Sequence, residues 1–143
     1  MAAQPQTSQA AAQAALDALL GKLNVGGVAG TVDIFTGTPP ADLETAETGT
    51  KLSTLTLSVT AFPASIAITS PRGAQATANA ITSGTGLANG NAGYFRAKDK
   101  NGVAVIQGTC DTANADMILN TVVVVTGVSV QCTSWVVQLP DGG

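Results

Sequence analysis

From Gly30 onwards the chain carries no helical periodicity, only short alternating runs of apolar and polar residues separated by turn signals. A parallel α/β fold would need helices between its strands, so this pattern confines the chain to an all-β architecture. Thr31–Phe35 alternates and stops at Thr36-Gly37-Thr38-Pro39-Pro40, where two prolines fix the backbone. Lys51–Ala61 reads as a strand with Leu55, Leu57 and Val59 on one side and Thr54, Thr56, Ser58 and Thr60 on the other, ended by Phe62-Pro63. Ser65–Thr69 and Ala74–Thr82 follow. In the second of these Ala74, Ala76, Ala78 and Ala80 alternate, a small-residue face that permits close approach by another layer. Thr85–Asn91 reads as a Gly- and Asn-rich loop, its glycines acting as spacers. Tyr94–Lys98 and Val103–Ile106 flank Asp99-Lys100-Asn101-Gly102, the clearest hairpin signal in the chain. Met117–Leu119, Val122–Val125 and Val128–Leu139 complete the set, with a turn at Thr126-Gly127. The expected fold is an antiparallel β-sandwich, jelly-roll-like, with one N-terminal α-helix.

That helix is predicted over residues 8–24. Ser8 is placed to cap it, and six alanines between Ala10 and Ala18 supply helix propensity. Leu16, Leu19, Leu20 and Leu23 form one stripe that must be buried, on the chain's own sandwich or on a neighbour. Residues 1–7 form a polar arm with no means of burying itself. Residues 30–140 form a single β-sandwich domain, and 143 residues suit one domain.

Composition narrows the function. Charged residues are 10% of the chain, aromatics 3%, and histidine is absent, which removes the commonest general base and metal ligand together. The net charge of −3 offers no basic footprint for nucleic acid beyond Arg96, Lys98 and Lys100, which read as a solvated hairpin tip. No apolar run approaches the roughly 20 residues of a membrane-spanning helix, and the start lacks the pattern of a signal peptide. Cys110 and Cys132 form no Cys-x-x-Cys pair and are expected as two reduced core thiols of a protein made in the cytoplasm, the alternative being a disulfide formed after release.

Candidate chemistry has a plainer reading at each point. Asp42, Glu44 and Glu47 could supply paired carboxyls, but without an aromatic platform they read as a solvated acidic loop. Cys110–Asp116 gathers oxygen ligands yet lacks the glycine and terminal Glu of a calcium loop, so an Asx-stabilised turn is expected. Ser and Thr nucleophiles have no His partner, and no Gly-Lys-[Ser/Thr] follows the glycines. Trp135 reads as the core anchor before it reads as a sugar platform. Tyr94, Arg96 and Lys98 share a strand face, which could be an outer docking patch. The residues predict no enzyme, cofactor, metal or small-molecule substrate.

Four stretches resemble the small capsid cement and decoration proteins of tailed double-stranded-DNA phages: Ala15–Leu20, Gly30–Pro40, Leu55–Ser58 and Asn91–Gly108. The resemblance spans roughly residues 11–139 and rests on patterns of strand and turn. It implies a jelly-roll-like protein on the exterior of a virion, made in the host bacterial cytoplasm, cementing neighbouring major-capsid subunits without catalytic or metal residues. The partners so implied are the major capsid protein and a second copy, a dimer being favoured over a trimer, with no nucleic acid and no membrane. Gln4, Pro5, Leu16, Leu19, Leu20, Leu23, Tyr94, Arg96 and Lys98 are the expected contact residues. The alternatives are a carbohydrate- or host-binding sandwich and a tail, neck or head-completion protein.

Overall fold

The structure is a computed structural model that describes residues 7–69 and 72–140. Helix α1 runs Gln9–Gly21, and Ser8 caps it as expected, its Oγ accepting the Ala11 N–H at 3.0 Å. The helix then tightens into a turn over Lys22–Gly27 that still buries Leu23. The strands follow as β1 Thr31–Thr36, β2 Lys51–Thr56, β3 Ile66–Thr69, β4 Arg72–Thr77, β5 Gly84–Thr85 and β6 Gly90–Lys98. They continue as β7 Ala104–Asp111, β8 Met117–Leu119, β9 Val123–Val124, β10 Ser129–Val130 and β11 Cys132–Pro140.

The main sheet has the order β2-β1-β6-β7-β8-β11-β4-β3, with β9 attached to β6 and a small β5–β10 pair beside it. Its ladders are antiparallel except β7–β8, which is parallel. The β6–β7 hairpin forms as predicted: Asp99 Oδ1 accepts the N–H groups of Asn101 and Val103, and Gly102 takes a φ of +79° that favours glycine.

Phe95 on β6 and Trp135 on β11 stand three strands apart in the sheet order, about 14 Å if the sheet were flat. Their ring centroids are 5.2 Å apart, so the sheet folds over on itself. Its halves become the two layers of an all-β, sandwich-like fold around one core. Trp135 anchors that core, 2% exposed and in edge contact with Phe62 and Phe95.

Helix α1 closes one side of the core against β4, β3 and β11. The buried Ala74 and Ala76 of β4 let it approach closely, and Ala12, Leu16 and Leu20 fill the gap. Gln9 Nε2 and Gln13 Nε2 donate to the carbonyls of Ile68 and Ser65, so helix side chains also satisfy backbone groups at the β3 edge.

Several strands stop short of their alternating pattern. The run over Lys51–Ala61 ends at Thr56, because Leu57 N–H turns to the Gly30 carbonyl and Val59 emerges 63% exposed. Ala74–Thr82 ends at Thr77. The Thr85–Asn91 stretch is partly paired, contributing the end of β5 and the start of β6. Val128–Leu139 breaks at Gln131, whose N–H donates to Asn120 Oδ1 and whose carbonyl accepts from Asn120 N–H, dividing it into β10 and β11.

Candidate functional site

The face of β2-β1-β6-β7 turned away from the core gathers Tyr94, Arg96 and Lys98, grouped by the sequence pattern, with charged and polar side chains that the pattern did not single out. Strand parity puts Asp33 and Phe35 of β1, Thr54 of β2, Tyr94, Arg96 and Lys98 of β6 and Gln107 of β7 on it together. This face is not a solvent-facing docking patch. The segment of residues 37–50, expected as a proline turn followed by an exposed acidic loop over 41–50, crosses it as a strap whose own side chains mostly point to water.

Backbone carbonyls anchor the strap. Arg96 Nη2 donates to the carbonyls of Asp42 and Thr45 at 3.1 and 2.7 Å, and its Nε donates to Gln107 Oε1 at 3.0 Å. Gln107 Nε2 in turn donates to the Pro40 carbonyl at 2.8 Å. Tyr94 Oη donates to the Thr48 carbonyl at 2.6 Å and accepts the Thr48 N–H at 3.0 Å. The strap begins by running directly over β6: a Cβ on Gly93 would stand 1.8 Å from the Gly37 carbonyl oxygen, so this glycine is required by packing and is more than a spacer.

Beneath the strap lies a charge network. Lys98 Nζ sits 2.8 Å from Asp33 Oδ2 and 2.7 Å from Glu47 Oε2, and Lys51 Nζ reaches Asp33 Oδ2 at 3.3 Å. Thr54 Oγ1 donates to Asp33 Oδ1 at 2.7 Å. Burial alone would raise the Asp33 carboxyl, but hydrogen bonds from Lys98 and Thr54 and the nearby lysine charges hold it below the usual carboxylate range. Burial would likewise lower Lys98, yet its bonds to Asp33 and Glu47 push it above an ordinary lysine. Phe35 and Tyr94 stack at 5.0 Å under these groups. The network satisfies itself: no buried side-chain N or O atom among the described residues lacks a hydrogen-bond partner.

The placement of the expected contact residues is therefore corrected in most cases. Leu16, Leu20 and Leu23 are 4% exposed or less and belong to the chain's own core, because the sandwich itself offers the apolar face their stripe requires. Leu19, 38% exposed, is the member of the stripe left outside. Tyr94 and Arg96 are buried and Lys98 nearly so, since the strap covers their face. Gln4 and Pro5 lie outside the described residues.

The other candidates are equally engaged. Asp42 Oδ1 accepts from Thr45 N–H and Oγ1, holding the strap's turn and lowering its own pKa. Asp111 Oδ1 accepts from the N–H and Oγ1 of the adjacent Thr112, and Asp116 Oδ2 accepts from the N–H and Oγ1 of Thr109 across the loop, so these carboxylates hold the segment by bonds other than the expected Asx turn. No group of three or more His, Cys, Asp or Glu among the described residues could hold a metal ion. Cys110 is buried and Cys132 half-buried, and both are free. Burial pushes the Cys110 thiol up to about 12 and the Cys132 thiol to about 11, so neither is a ready thiolate. No helix among the described residues is long and apolar enough to cross a membrane.

One surface runs against this economy. Leu87, Val123, Val125 and Val128 are 59%, 58%, 45% and 53% exposed. They occupy one end of the molecule, where Gly86 N–H donates to the Val128 carbonyl and Gly127 N–H to the Gly86 carbonyl. Asn89 Oδ1 accepts from both N–H and Oγ1 of Thr126, and β9 pairs with β6, so the end is firmly held. Neither contributing segment, Gly73–Phe95 or Met117–Pro140, contains a charged residue. Sequence reasoning assigned these valines to strands without asking which would find a layer to pack on. The missing charges were the readable sign. Comparison with protein-family models, curated proteins and solved structures finds no match to this chain.

Proposed function

We propose that this chain is a structural virion protein that binds the outside of a phage capsid and cements neighbouring major-capsid subunits. The observation that carries this reading is the rigid, uncharged end bearing Leu87, Val123, Val125 and Val128. Exposed apolar side chains on segments that carry no charge of their own mark a protein–protein contact. The stretches that resemble cement and decoration proteins give the reading its partner: the major-capsid subunits of the shell. A shell presents the same seam many times, so a modest contact gains strength wherever one protein bridges two subunits.

The carbohydrate-binding alternative asks for an exposed aromatic platform, and Trp135 is buried in the core. The test is to add the purified protein to shells lacking it, then measure occupancy by co-sedimentation and image the particles. Density bridging adjacent shell subunits is expected, with occupancy falling at least severalfold for the double variant Leu87→Asp, Val128→Asp while its circular dichroism stays unchanged. Absence of binding by the folded wild-type protein, or density confined to a tail or neck ring, would overturn the reading.

A further inference from the structure

We propose that Asn101 is a site of spontaneous backbone self-modification, converting with time to aspartate and isoaspartate through a cyclic imide with Gly102. Asn-Gly occurs twice in the chain, at Asn89-Gly90 and Asn101-Gly102. Glycine after asparagine leaves the following backbone nitrogen unshielded by a Cβ, so both pairs have the composition the reaction favours. The fold separates them.

Asn89 is held. Its Oδ1 accepts the Thr126 N–H at 2.8 Å and the Thr126 hydroxyl at 3.1 Å, and Gly90 is the first residue of β6, in register with Val124 of β9. These bonds fix the amide against the neighbouring loop. Asn101 is free to turn. It stands at the tip of the β6–β7 hairpin, and Lys100 through Val103 are all exposed. Its backbone N–H donates to Asp99 Oδ1, but its side-chain amide has no partner among the described residues. The attacking nitrogen of Gly102 donates to the Asp99 carbonyl at 3.0 Å, a single bond in an exposed turn that local opening releases.

The chemistry closes without a cofactor. The Gly102 nitrogen attacks Asn101 Cγ, a new N–Cγ bond forms, the Cγ–Nδ2 bond breaks, and ammonia leaves carrying the proton that the backbone nitrogen gives up. Water then opens the imide. Cleavage of the new N–Cγ bond gives aspartate, and cleavage on the main-chain carbonyl side gives isoaspartate, with the backbone rerouted through the former side chain. The isoaspartyl product inserts an extra methylene into a turn whose bonds from Asn101, Gly102 and Val103 to Asp99 require the present spacing. Either product adds a negative charge beside Asp99. The hairpin tip thereby carries a slow chemical change that loosens it while the sheet stays intact.

The experiment incubates the full chain at mildly alkaline pH and follows both Asn-Gly peptides by mass spectrometry, with isoaspartyl-methyltransferase labelling. A parallel sample is held in denaturant. In the native protein Asn101 is expected to convert roughly tenfold faster than Asn89, whose two bonds to Thr126 must first break. In denaturant the two rates should converge. Thr126→Ala should raise the Asn89 rate in the native protein without changing that of Asn101. Equal native rates, faster conversion at Asn89, or no native conversion at Asn101 would each overturn the proposal.

Discussion

The strands β2, β1, β6 and β7 are covered on both faces, and the two coverings work by different physics. On the inner face, Val32, Ile34, Phe95 and Trp135 are held by removal of apolar surface from water, which asks for volume and little direction. On the outer face, Arg96, Tyr94, Gln107 and Lys98 hold a strap by directed bonds, several of them to backbone carbonyls. Hydrophobic burial tolerates a shift of an ångström; a guanidinium shared between two carbonyls does not. The inner face should therefore set global stability, and the outer face the local order of residues 37–50.

Substitutions separate the two. Trp135→Ala empties the middle of the inner core and should cost about 3–5 kcal/mol, read as a lowered midpoint in urea unfolding. Arg96→Met keeps volume but leaves the Asp42 and Thr45 carbonyls without their donor, and should cost about 1–3 kcal/mol. Its signature is local: limited proteolysis and hydrogen exchange should rise within residues 40–50 while the β4–β11 ladder keeps its protection. If Arg96→Met lowered protection uniformly, the two faces would be one cooperative unit.

The smallest expected effect is that of pH. Asp33 titrates below its unfolded value, so its contribution is complete above the ordinary carboxylate range and is lost as pH falls through the depressed folded value. Lys98 titrates above its unfolded value, so its contribution is complete below the ordinary lysine range and is lost as pH rises through the raised one. Hydrogen exchange of the strap, corrected for intrinsic rates, should be flat between these limits and accelerate below the acid one. Asp33→Asn should shrink the acid limb, leaving the part that Asp42 contributes through its bonds to Thr45.

Local features were legible in the sequence where a side chain reports on its own neighbourhood. The Ser8 cap, the Asp99–Gly102 turn and the alanine face of β4 each follow from a few adjacent residues. Trp135 was legible as the core anchor because no other residue of its size is available to the core. The strap was not. Asp42, Glu44 and Glu47 look solvated because their side chains largely are, while the attachment runs through carbonyls that every residue type possesses. Parity correctly grouped Tyr94, Arg96 and Lys98 but could not say what lay above them, since the covering segment is more than forty residues away in the chain. The valine end was missed for a related reason. Alternation shows which residues share a side, and only the folded sheet shows that no second layer reaches Val123 and Val128.

The seating of α1 on β4 and β11 carries a consequence for biogenesis. The leucines of this helix leave the ribosome early, but part of their platform is made some hundred residues later, at Cys132–Pro140. Until that segment emerges, Leu16 and Leu20 have only an unfinished seat, and β1 must also wait for β6, whose paired residues lie about sixty positions further on. High contact order of this kind slows folding and delays it until β11 has been made. Nascent chains of this protein should therefore need shielding from one another, and an expression host with ample chaperone capacity should raise the folded yield more than a lower temperature alone.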